Sequence, residues 1–152
     1  MSKTYDKALE FMRKYPHTVA FRIKQHCNII DKHLNPNEEV LYVFFGQKNR
    51  GSLDIVNTNV IVLTNKRLMF ATKRIVFGYF FTAVTPDMFN DLSVKENILW
   101  GRISIDTVKE EIKLSNIDKR ALPEIETNIT EYMMKEKKKY KSKDEDEDKK
   151  ED

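Results

Sequence analysis

The stretch from Val60 to Phe70 constrains this chain more than any other. Val60-Ile61-Val62-Leu63 is an unbroken apolar run rich in β-branched residues, and Leu68-Met69-Phe70 resumes it after Thr64-Asn65-Lys66-Arg67. Two apolar runs of strand length around a short polar segment specify a β-hairpin, with Asn65 and Lys66 at its tip. Asn tolerates the left-handed backbone that a tight hairpin turn demands, so that conformation is expected at the tip.

The rest of the chain reads outward from this hairpin. Tyr5, Ala8, Leu9 and Met12 fall at helical spacing and predict a helix over residues 3–14, closed by Tyr15-Pro16. Ala20, Ile23, Cys27, Ile30 and Leu34 recur at intervals of three and four, predicting a second helix over residues 18–34 with Thr18 as its cap. Strands are expected at 40–47, 53–64, 67–72, 75–84, 90–95, 100–105 and 111–115. A last helix begins near Leu122 and carries the stripe Leu122, Ile125, Ile129, Tyr132 and Met133. Pro123 fits its first turn. Past Met134 the apolar pattern ends. Lys135 to Asp152 holds eight Lys and eight acidic residues, so the net +3 of the chain resides before it. Such a segment buries too little apolar surface to offset its ordering entropy, and disorder is expected beyond Lys139.

Composition narrows the function classes. One cysteine, Cys27, excludes an intramolecular disulfide and fits a reducing, cytoplasmic setting. The first residues lack the apolar core of a signal peptide, and no apolar run reaches the length of a membrane-spanning helix. Membrane contact would be peripheral. His26 and His33 lie seven residues apart on one helix face without converging carboxylates or thiols, so a metal site is not expected. The histidines are read as solvated or lightly packed. No glycine-rich phosphate loop is present, and no nucleophile arrangement can be argued.

Three pieces of the sequence carry a family resemblance. Val62-Leu63-Thr64-Asn65-Lys66-Arg67-Leu68-Met69-Phe70 resembles the V-L-T-N-K-R-L-x-F hairpin of bacterial pleckstrin-homology (PH)-like domains, especially the YokE-like family, and the related GRAM domains carry similar turns. Glu38-Glu39-Val40-Leu41-Tyr42 is similar to that family's acidic entry into its first strand. Leu99-Trp100-Gly101-Arg102-Ile103-Ser104-Ile105 is similar to its hydrophobic-x-G-x-I-x-I strand. The resemblance implies an α+β fold: a PH-like, seven-stranded, partly open β-barrel capped by a C-terminal helix. The expected organisation is a helical hairpin over 1–35, a PH-like domain over 36–138 and a disordered charged tail over 139–152. It implies binding rather than catalysis, with no cofactor and no small-molecule substrate.

Two sets of candidate residues follow. In PH domains that bind phosphoinositides, the ligand sits at the open end of the barrel, among the loops joining strands one and two, three and four, and six and seven. Lys48 and Arg50, Lys73 and Arg74, and Lys109 fall in those loops and would hold an anionic headgroup. The helical stripe of Ala20, Ile23, Cys27 and Ile30 could instead take a protein partner or a second copy of the chain. Of these, a protein-binding module is the first expectation and anionic lipid the alternative; nucleic acid is disfavoured. Arg67 is expected to serve the fold, with its head paired to a carboxylate. Phe77, Tyr79 and Phe81 are expected in the core, leaving Phe80 on the opposite face of its strand.

Overall fold

The computed structural model describes residues 2–48, 58–75 and 77–151. Its centre is a seven-stranded antiparallel sheet made of β1 (Val40–Lys48), β2 (Thr58–Thr64), β3 (Leu68–Lys73), β4 (Tyr79–Val84), β5 (Phe89–Glu96), β6 (Gly101–Thr107) and β7 (Glu111–Ile117). The strand order is β4-β3-β2-β1-β7-β6-β5. Among the described residues, two meanders, β1–β4 and β5–β7, pair where Gln47 and Lys48 meet Ser115 and Leu114. Gly46 permits that junction, because a Cβ there would lie 2.8 Å from Ile117 Cγ1.

The β2–β3 hairpin forms as read, with Leu63 opposite Leu68 and Val62 opposite Met69. Its turn differs in chemistry. Asn65 is not left-handed: Arg22 and Asn116 are the described non-glycine residues with positive φ. The Thr64 hydroxyl oxygen instead accepts the N–H groups of Lys66 and Arg67, both at 3.1 Å. The Asn65 side chain accepts the Glu39 N–H at 2.8 Å and so ties the turn to the entry of β1.

Beneath the turn, Glu38 is buried and accepts Thr64 Oγ1 at 2.6 Å, Arg67 Nε at 3.0 Å and Arg67 Nη2 at 3.1 Å. Burial pushes the carboxyl upward, but the hydrogen bonds from Arg67, Thr64 and the Asn35 N–H outweigh it, and its pKa lies below the ordinary value. Arg67 thus takes the structural role expected of it.

Helices α1 (Lys3–Lys14) and α2 (Ile23–His33) both pack on the domain's own sheet. Ser2 caps α1 by accepting the Tyr5 N–H. Phe11 sets its ring edge-on to Phe45, centroids 5.0 Å apart. The second helix starts later than its periodicity suggests. Thr18 does not cap it; its hydroxyl accepts the Asp118 N–H at 3.0 Å, and Val19 N–H donates to Asn116 at 2.9 Å. These bonds tie Thr18 and Val19 to the end of β7, and the helix begins only at Ile23, so tertiary contacts override local helix propensity.

The C-terminal helical run closes the other side. It comprises α3 (Leu122–Glu126), a π-helical turn (Thr127–Glu131) and α4 (Tyr132–Glu151). Leu122, Ile125, Ile129 and Met133 enter the core. The run stays helical to Glu151, where sequence composition suggests disorder beyond Lys139. Residues 138–150 are exposed, so no packing supports them. Lys and Glu are strong helix formers, and local contacts such as Lys139 Nζ to Glu136 at 2.9 Å and Ser142 Oγ to the Lys138 carbonyl at 3.1 Å sustain the helix.

Candidate functional site

The β3–β4 hairpin turns through Arg74 to Gly78. Arg74 N–H donates to the Gly78 carbonyl at 3.1 Å, and Gly78 takes a φ of 75° that other residues rarely adopt. The turn displays apolar side chains to solvent: Phe77 is 82% exposed, Ile75 63% and Phe80 52%. The core placement expected for Phe77 and Tyr79 therefore does not hold: Phe77 lies in the turn rather than in the strand, and Tyr79, at the first position of β4, is 44% exposed. On β4 itself, Phe81 stacks on His33 of α2 with centroids 3.8 Å apart, and Tyr79 meets the same imidazole edge-on at 5.7 Å. Phe80 points away from that helix-covered face.

Cations gather around Phe80. Arg74 Cζ lies 4.2 Å from its ring centroid and Lys48 Nζ 5.6 Å. Arg22, at the start of α2, donates from Nη2 to the Arg74 carbonyl at 3.4 Å. Lys73 occupies the last position of β3. Arg50 lies outside the described residues. Lys109 does not join the group, because its Nζ donates to the Ala83 carbonyl at 2.8 Å, four residues along β4 from Tyr79. At about 3.3 Å per residue that separation is roughly 13 Å.

His26 anchors this corner from within. It is buried, not solvated as its sequence position suggests. Nδ1 accepts the Lys73 N–H at 2.7 Å, so the ring proton sits on Nε2 and donates to the Phe21 carbonyl at 2.9 Å. Burial holds its pKa down to about 4, with Arg22 adding in the same direction and the Phe21 hydrogen bond opposing. The neutral imidazole thereby joins the end of β3 to the segment carrying Arg22. A lone helical His gives no sequence signal for this role. Ile75 and Phe77, apolar residues inside a cation-flanked loop, did carry a legible signal.

The helical stripe is not available to a partner. Ile23, Cys27 and Ile30 are buried against the sheet of their own chain, and Ala20 is half-buried in the linker before α2. Burial pushes the Cys27 thiol up to about 12, so it is no thiolate nucleophile at neutral pH. Among the described residues, no group of three His, Cys, Asp or Glu side chains could hold a metal ion, and no helix is long and apolar enough to cross a membrane.

The family described as bacterial PH domain matches residues 34–131 of the chain. That match does not single out the YokE-like subgroup. The chain is also similar to a pleckstrin homology domain from Shewanella amazonensis SB2B, known from a crystal structure. The two share 18% identity over 70% of this chain and 94% of the other, with a TM-score of 0.47. No curated protein matches.

Proposed function

This chain belongs to the bacterial PH domain family, and we propose that it is a binding module that docks on anionic membrane surfaces through its β3–β4 hairpin. One observation carries the reading: Ile75 and Phe77 in the turn and Phe80 at the start of β4 are all exposed, Arg74 and Lys48 lie over the Phe80 ring, and Arg22 holds the Arg74 carbonyl. Aromatic and aliphatic tips favour the headgroup boundary, and each Lys or Arg near an anionic surface contributes about 1 kcal/mol. Neither term is large alone. Together they give the two signals that stable peripheral binding requires.

Co-sedimentation with phosphatidylglycerol-rich and phosphatidylcholine vesicles tests it. Binding is expected to the first only, to weaken at physiological salt, and to be lost in Phe77→Ser and in Lys73→Glu/Arg74→Glu. Absence of binding to either vesicle overturns the reading.

A protein partner is supported by a different observation. β4 and β5 are the end strands of the sheet, each paired with a strand on one side only among the described residues, and an end strand can accept an added strand. Association of that kind would tolerate salt and the β3–β4 substitutions.

A further inference from the structure

We propose that the exposed face of β5, β6 and β7 carries a binding site for a phosphomonoester group. The site is a trough of about 340 Å³, within the range of small-ligand pockets. None of its residues belongs to the β3–β4 hairpin, so it stands independently of the membrane reading.

Strand register builds it. Each of the three strands turns one set of residues, Leu92, Ile103, Ile105, Ile112 and Leu114, into the core, which leaves the alternate set facing out. Lys95 lies directly opposite Arg102, and Ser93 opposite Ser104, which in turn lies opposite Lys113. Lys95, Arg102 and Lys113 therefore line the trough together with the hydroxyl-bearing Ser93 and Ser104. A like-charged cross-strand pair such as Lys95 and Arg102 destabilises a sheet unless an anion lies between its members. None of the three cations makes an ion pair among the described residues. A β-bulge lies beside them. The β6–β7 register shifts between Gly101 and Ile103, and Asn116 takes a φ of 58°. The extra residue lies on β7, so Arg102 faces both Ser115 and Asn116.

Carboxylates on the same face set the ligand's size. Glu111 lines the trough and accepts the Ser104 hydroxyl at 2.7 Å. Asp106 lies opposite both Asp91 and Glu111, and all three acids are exposed. A single phosphate fits among Lys95, Arg102 and Lys113, with the Ser93 hydroxyl as a further donor. A longer polyphosphate or a nucleic-acid strand laid along the face would run into the carboxylates. The group recognised is thus one terminal phosphate, on a soluble metabolite or on a lipid headgroup.

The experiment titrates the full chain, uniformly labelled with nitrogen-15, with inorganic phosphate, glycerol 3-phosphate and tripolyphosphate at constant ionic strength. Saturable amide shifts at Ser93, Ser104 and Lys113 are expected with the first two. Arg102→Gln should weaken glycerol 3-phosphate about tenfold, the loss of one charge-assisted hydrogen bond, while leaving the thermal midpoint unchanged. Tripolyphosphate should bind no more tightly than glycerol 3-phosphate. Shifts that never saturate, or affinity that climbs with ligand charge, would show a diffuse cationic surface and overturn the site. The second criterion uses the unmodified protein and so survives any folding defect in the variant. Phosphatidic acid vesicles, tested with Lys73→Glu/Arg74→Glu protein, separate the two sources. Retention that glycerol 3-phosphate competes away assigns the site to lipid headgroups, and no retention beside intact glycerol 3-phosphate binding assigns it to soluble ligands.

Discussion

Acid should loosen this protein through His26 before any carboxylate responds. The imidazole is neutral in the fold, its pKa held to about 4 by burial, against 6.5 in an unfolded chain. Its stabilising contribution is therefore complete above pH 6.5 and is lost as pH falls toward 4, because the unfolded chain takes up a proton that the native state refuses. At pH 4.5 the unfolded imidazole is almost fully protonated, whereas the native one is about one-quarter protonated; the difference amounts to about 2.5 kcal/mol. The Glu38 and Asp118 carboxyls, both held below their ordinary values, lose their contributions only at lower pH. Urea denaturation at pH 7.5, 6.5, 5.5 and 4.5 measures the slope. Wild type should lose about 2.5 kcal/mol across that range, and His26→Gln, less stable at pH 7.5, should show a much flatter curve. Parallel curves for the two proteins would refute the argument, since the pH dependence would then belong to other groups. The same titration reaches the candidate site: protonated Nδ1 can no longer accept the Lys73 N–H, so the end of β3 should lose amide-exchange protection alongside the stability.

Other perturbations separate structural residues from displayed ones. Arg67→Ala strands Glu38, whose side chain has no exposure, and should cost about 3–5 kcal/mol in denaturant unfolding; Arg67→Ala/Glu38→Gln should recover part of it. A Cβ at position 101 would lie 2.7 Å from the Leu122 side chain, so Gly101→Ala should lower stability by about 1–3 kcal/mol, with relief from Leu122→Ala in a double-mutant cycle. Phe77→Ser should change stability by less than about 0.5 kcal/mol, because nothing packs on an 82%-exposed ring, while reducing vesicle binding. Truncation after Lys139 should leave the melting temperature unchanged and remove helical circular dichroism signal in proportion to the residues deleted, because the exposed end of α4 supports nothing.

The fold was legible because its strands announce themselves by composition. Val60 to Leu63 and Leu68 to Ala71 are buried throughout, so an unbroken apolar run sufficed to place them. Alternation did the same for Ile103, Ile105, Ile112 and Leu114, which line one face of β6 and β7. Where tertiary bonds overrule local preference, the reading slipped. Thr18 is a good helix cap by type, yet its oxygen accepts the Asp118 N–H, a hundred residues on. Periodicity placed α1's core face in part: Ala8 is buried and Tyr5 packs on the core, but Met12 is exposed, and Phe11, one position away, carries the contact with Phe45.

The candidate site was half legible, and the missing half shows what a sequence leaves out. Lys48, Lys73 and Arg74 sit at loops that share the open end of the sheet, and Lys48 and Arg74 converge around Phe80. Lys109 belongs to a loop at the same nominal end but reaches the far end of β4, where its Nζ donates to the Ala83 carbonyl. Loop membership fixes connectivity, not distance. Arg22 and His26 were missed for the opposite reason: they come from the helical pair, which the reading set apart from the sheet. Burial of Ile23, Cys27 and Ile30 places that pair against the sheet, and it supplies both the cation on the Arg74 carbonyl and the imidazole under Lys73. The helical pair is thus part of the site's construction. A chain beginning at residue 34, where the family match starts, would keep the exposed turn but lose the two side chains that hold its base, and its β3–β4 hairpin should bind vesicles more weakly than that of the full chain.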